Sequence, residues 1–143
     1  MKFLRVSPSF GLVKKEVSIG IEITQCPHKC KGCHSPELCE DIGSELTKDA
    51  LANILNHYTH ENCPLFSCVV FMGGDHDPFA LVKRIREVKS QYPDIKIGLY
   101  SGAEKVSEEI ESLLDYLKTG KYVEELGSLD SPTTNQKFIE FER

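Results

Sequence analysis

The stretch that decides the fold is "VSIGIEITQCPHKCKGC", residues 17–33. Its first seven residues are rich in β-branched and apolar side chains, which predicts a strand over 17–23. Directly after it come three cysteines, Cys26, Cys30 and Cys33, in a C-x3-C-x2-C array. In open α/β sheets ligands collect at the C-terminal ends of the strands, so these thiols stand where such a fold would bind something. Pro27, Lys29, Lys31 and Gly32 fill the gaps with turn-forming and polar residues, and lysines beside a thiol favour the thiolate that metals require.

Outward from this stretch, short apolar runs predict further strands at 3–6, 68–72 and 95–100, with two more at 113–117 and 137–141. Helical patterns lie between them. In 47–58, Thr47 is the N-cap and Leu51, Ile54, Leu55 and Tyr58 share one face. In 78–91, Asp77 is the cap, Pro78 takes the first helical position, and Leu81, Val82, Ile85 and Val88 form the apolar face. A short acidic helix is predicted at 104–112, and "GSLDSPTTNQ", 127–136, reads as a surface loop. Strands alternating with helices predict right-handed crossovers and a mainly parallel sheet. The whole chain, 1–143, reads as one α/β domain.

The chain has 143 residues, enough for one domain with an apolar core. A complete α/β barrel takes about 250 residues, so any barrel here is partial. A net charge of −5 argues against nucleic acid as a partner. No apolar run reaches the roughly 20 residues that span a bilayer, and the N-terminus lacks the apolar region of a signal peptide. No membrane association and a cytoplasmic, reducing location are therefore expected. In that compartment six cysteines are better read as metal ligands or buried apolar groups than as a disulfide framework.

Three fates compete for the cysteine array. Structural zinc needs four ligands, with His28, His34 or Cys39 completing the set. A four-thiolate iron–sulfur centre would take Cys39 as its fourth ligand, although the spacing differs from the usual ferredoxin runs. The third is a 4Fe–4S cluster held by three cysteines, one iron being left for a substrate.

The array, in this position after a long strand, resembles the signature of the radical S-adenosylmethionine (SAM) enzymes. The fuller pattern "CPHKCKGCHSPEL" is similar to the activating proteins of anaerobic (class III) ribonucleoside-triphosphate reductases. The resemblance implies a partial (β/α) barrel of about five to six mainly parallel strands. It implies Cys26, Cys30 and Cys33 as ligands of a 4Fe–4S cluster whose fourth iron takes SAM. "FMGGDHDP", 71–78, looks like the Gly-Gly-acid motif that receives the SAM amino group, which makes Gly73, Gly74 and Asp75 cofactor-binding candidates. "LYSG", 99–102, resembles a segment beside the SAM ribose, with Ser101 as the contact. The implied activity is reductive cleavage of SAM, with a glycyl radical then formed on the reductase large subunit and a flavodoxin or ferredoxin supplying the electron. Two alternatives stand beside it: activation of a different glycyl-radical enzyme, or a non-catalytic zinc- or cluster-binding module.

Each candidate also has a plainer reading. Gly73 and Gly74 suit an ordinary turn after a strand, Asp75 or Asp77 a helix cap, and Ser101 a turn. Ser35 and Pro36 suit the start of a short helix. Cys63 and Cys68 read as core or surface-adjacent thiols and Cys39 as half-buried, while His57 and His60 are expected to face solvent.

Overall fold

The computed structural model describes residues 1–28, 36–129 and 131–142. In chain order it forms β1 (Lys2–Ser9), β2 (Ser18–Ile23), a 3-10 turn (Pro36–Cys39), β3 (Ser44–Glu45), α1 (Lys48–His57), β4 (Thr59–His60) and β5 (Cys63–Pro64). There follow β6 (Cys68–Met72), α2 (Pro78–Gln91), β7 (Lys96–Tyr100), the single turn α3 (Glu108–Glu111), β8 (Tyr116–Thr119) and β9 (Lys137–Glu140). Seven strands make one sheet in the order β3-β1-β2-β6-β7-β8-β9, and β4 pairs with β5 apart from it.

The expected partial (β/α) barrel of mainly parallel strands is corrected by this sheet: it is mixed, seven-stranded and accompanied by few helices. Parallel pairing is confined to β2·β6, β6·β7 and β7·β8, while β1·β2, β1·β3 and β8·β9 are antiparallel. The reason is the connections. A parallel neighbour needs a crossover long enough to return the chain to the starting edge. β1 reaches β2 through a short connection, and the described residues between β8 and β9 form no helix, so both returns are antiparallel.

The helix predictions hold in their caps. Thr47 Oγ1 accepts from Ala50 N at 3.0 Å, and an Asp77 carboxylate oxygen accepts from Ala80 N at 3.4 Å. The strand predicted at 113–117 begins instead at Tyr116. Leu114 is buried, and Asp115 uses its carboxylate to accept from Ile97 N at 2.9 Å, which fixes the entry to β8.

Strand register divides the core in two. Ile21, Phe71, Leu99 and Leu117 are successive partners across β2, β6, β7 and β8, and all four are buried in the main core with Leu81, Ile85 and Leu51 of the helices. One residue further along each strand, side chains point to the other face. There Cys68, Val70 and Tyr116 pack with Val13, and Leu12, Met72 and Tyr100 pack against them. No helix among the described residues is long and apolar enough to cross a membrane.

Candidate cluster site and adjoining cleft

The sheet's C-terminal edge is built by the same register. The last row, Glu22, Met72, Tyr100 and Lys118, faces away from the main core. Hydrogen bonding runs one step further: Gly73 N donates to Tyr100 O and Ser101 N to Lys118 O, each at 2.8 Å. This crest carries a cleft of about 280 Å³ lined by Cys26, Gly73, Asp75, Tyr100, Ser101 and Lys118 among others.

Cys26 lies just past the end of β2 and is partly exposed to the cleft. The loop it opens is closed at its base. Cys26 N donates to Leu38 O at 2.8 Å and Gln25 N to Glu40 O at 3.1 Å, with Gln25 at φ 63° turning the chain out of the strand. Arg5 on β1 donates from Nε to Glu22 and from a terminal nitrogen to Glu37, which ties the 3-10 turn to the sheet. The guanidinium holds the Glu37 carboxyl below its usual range, first through that hydrogen bond. Cys30, Cys33, His34 and Ser35 lie outside the described residues.

The Gly-Gly-Asp turn follows β6. Gly73 and Gly74 have φ of 101° and 106°, a region that L side chains rarely adopt, so both glycines are required by the turn itself. The turn brings Asp75 back over the crest, where Ser101 Oγ donates to its Oδ2 at 2.8 Å. Ser101 is 1% exposed, and its oxygen also accepts from Ala103 N at 3.0 Å. Its hydroxyl hydrogen is therefore directed at Asp75. Asp77, two residues on, caps α2 and leaves Asp75 for the cleft.

The structure thus brings together Cys26, Gly73, Gly74, Asp75 and Ser101 around one opening. Cys39 is half-buried and lines it too. Cys63 is exposed and far from this role in character, while Cys68 is fully buried with its thiol pushed up to about 12 by burial. His57 and His60 are exposed, as expected. Sequence reasoning passed over Met72, Tyr100 and Lys118, which form the cleft floor, with the Lys118 ammonium 5.1 Å from the centre of the Tyr100 ring. Period-two alternation from the buried row Phe71, Leu99 and Leu117 was the signal that places them. Gln136, buried with Nε2 donating to Gly120 O at 3.2 Å, joins the cleft from a loop that carries no such signal.

Among the described residues no three His, Cys, Asp or Glu side chains gather as a metal set. Fold and cleft together define an α/β domain in which Cys26 and Cys39 line a small cleft at the C-terminal edge of the sheet. The family described as a 4Fe-4S single cluster domain matches residues 17–137, and the chain belongs to that family. It is a 4Fe–4S cluster-binding module. Comparison with curated proteins and with solved structures gives no match. The described residues fit such a cluster chemically, since Cys26 offers a soft sulfur donor at the start of a loop whose base is hydrogen-bonded shut.

Proposed function

We propose that Cys26, Cys30 and Cys33 hold the 4Fe–4S cluster and that the adjoining cleft binds SAM, making this chain a radical-generating activase of the anaerobic ribonucleoside-triphosphate reductase. One observation carries the reading: a single cleft runs from Cys26 to a carboxylate, Asp75, that a buried hydroxyl holds in place. A bound cluster would supply the low-potential electron for reductive cleavage of SAM to methionine and a 5′-deoxyadenosyl group, the chemistry with which such an activase would form a glycyl radical on its partner.

The chain's own residues do the rest. Asp75 accepts from the ammonium of the methionine moiety, with Ser101 fixing the carboxylate through its Oδ2. Gly73 and Gly74 turn the backbone at the crest. Met72 and Tyr100 offer an apolar floor for the nucleoside. A volume of about 280 Å³ lies near the lower end of small-molecule pockets, roughly 300–1,000 Å³, and suits one compact ligand. On the sheet face opposite the main core, Leu12 and Val13 pack over Cys68, Val70 and Tyr116, and a peptide segment of the reductase is proposed to reach the cleft from that side. A flavodoxin or ferredoxin is the proposed electron donor.

The test is anaerobic purification followed by iron and sulfide analysis, expected at about four of each per chain. SAM should then change the electron paramagnetic resonance (EPR) spectrum of the reduced cluster, and reduction should release methionine and 5′-deoxyadenosine. A full cluster whose spectrum ignores SAM overturns the reading and leaves a non-catalytic cluster module. SAM cleavage without a glycyl radical on the reductase moves the target to another glycyl-radical enzyme. Cys30→Ala is expected to lose iron and activity while keeping the fold.

A further inference from the structure

Between Cys26 and Cys30 the chain carries His28, and its ring lies against a glycine of a different loop. A methyl group on Gly102 would stand 2.5 Å from His28 Cδ2, 2.9 Å from Cγ and 3.0 Å from Nε2. Three ring atoms at such similar distances mean that the imidazole lies over the Gly102 backbone. The contact spans the crest: His28 follows β2, Gly102 follows β7, and β6 runs between those strands. Both residues line the cleft.

The glycine side of this contact is rigid. Ser101 N is bonded to Lys118 O, Ala103 N to Ser101 Oγ, and Gly120 N to Ala103 O, at 2.8, 3.0 and 2.8 Å. The loop side is pinned at its base by the Cys26–Leu38 and Gln25–Glu40 hydrogen bonds. Those bonds fix where the cysteine loop begins and ends.

We infer that His28 is a positioning residue: laid on Gly102, it anchors the chain just after Cys26 to the turn that follows β7, and so supports retention of the cluster. Position 102 must then be glycine for want of space. Carbon atoms in ordinary contact stand about 3.5–4.0 Å apart, so a methyl group at 102 drives the ring back by about 1 Å or more. The inference rests on cluster binding and not on SAM.

The experiment uses the anaerobically loaded full chain and follows cluster absorbance during incubation with an iron chelator, with thermal melts as a control for folding. His28→Ala and Gly102→Ala are each expected to lose the cluster about tenfold faster or more, the range seen when a supporting residue around a metal site is removed. Because both substitutions abolish one contact, the double variant should lose it no faster than the singles. Wild-type retention in His28→Ala overturns the inference, as does a double variant whose effect is the product of the two. Should Gly102→Ala fail to fold, His28→Ala alone decides. A SAM-insensitive spectrum in the wild type, with these rates as expected, would remove the proposed activity and leave the anchor standing.

Discussion

The two glycines after β6 make different demands on a side chain, and the difference can be measured. At Gly73 a methyl group would sit 3.6 Å from Ile23 Cβ and Ile23 O, ordinary contact distances. Its cost is then the backbone alone, held at φ 101°, about 1–3 kcal/mol for a residue forced into a sparsely populated region. At Gly74 the φ of 106° adds the same strain, but the methyl group would also lie 2.9 Å from Met1 Sδ, with Leu81 Cδ1 at 3.5 Å and Ile23 Cγ1 at 3.6 Å. Leu81 is fully buried, so valine at 74 overpacks the layer under α2, adding about 1–3 kcal/mol. Gly73→Ala should therefore cost about 1–3 kcal/mol and Gly74→Val about 2–6 kcal/mol. Domains of this kind hold only about 5–15 kcal/mol in total, so the second is severe. Urea unfolding of the cluster-free chain reads both: with a slope of about 2 kcal/mol per molar, the midpoints should fall by about 0.5–1.5 M and 1–3 M. A Gly74→Val midpoint equal to that of Gly73→Ala would refute the packing half of the reasoning. Wild-type midpoints in both would refute the backbone half.

Ser101→Ala removes the donor to Asp75 and the acceptor of Ala103 N, and is expected to cost about 1–3 kcal/mol in urea unfolding while weakening SAM in a titration followed by EPR. Unchanged stability would show that water replaces both bonds. In thiol labelling of the native cluster-free chain, Cys63 should react at once and Cys68 only on unfolding, because Cys68 is fully buried and its thiol is pushed up to about 12. Labelling of Cys68 at the rate of Cys63, read by mass spectrometry of peptides, would contradict that burial. Glu37→Gln breaks the Arg5 clamp. Since the folded-state carboxyl lies below its ordinary value of 4.5, its stabilisation is present above that pH and is lost as pH falls through the lowered value. The wild-type advantage in unfolding midpoint should thus be present at neutral pH and vanish in acid. An advantage that persists in acid would place it elsewhere.

Much of the site was legible because its parts are local. Cys26, the Gly-Gly-Asp turn and the Ser101 turn each follow a strand whose apolar run announces it, and the parallel strands β2, β6 and β7 carry them to one edge. Caps were equally readable, since Thr47 and Asp77 bond to residues three positions on. The barrel expectation failed where the outcome hangs on distant pairing. β1 and β9 have strand-like sequences, but their direction is set by connections whose described residues form no crossover helix, and β9 is exposed along its whole length, with no apolar alternation to give its orientation. Contacts such as His28 on Gly102 or Arg5 with Glu37 join residues 74 and 32 positions apart, and no spacing rule reaches them.

The shut base of the cysteine loop has a consequence for how much variation it tolerates. Backbone hydrogen bonds from Gln25 and Cys26 to Glu40 and Leu38 bring the two ends of the loop together. Lengthening a segment whose ends are held in this way raises the entropic cost of closure slowly, by about 0.6 kcal/mol for each doubling. Insertions between the first and last thiols should accordingly leave the scaffold intact and be felt by the metal alone, so that ligand spacing and scaffold stability are free to drift independently over evolutionary time.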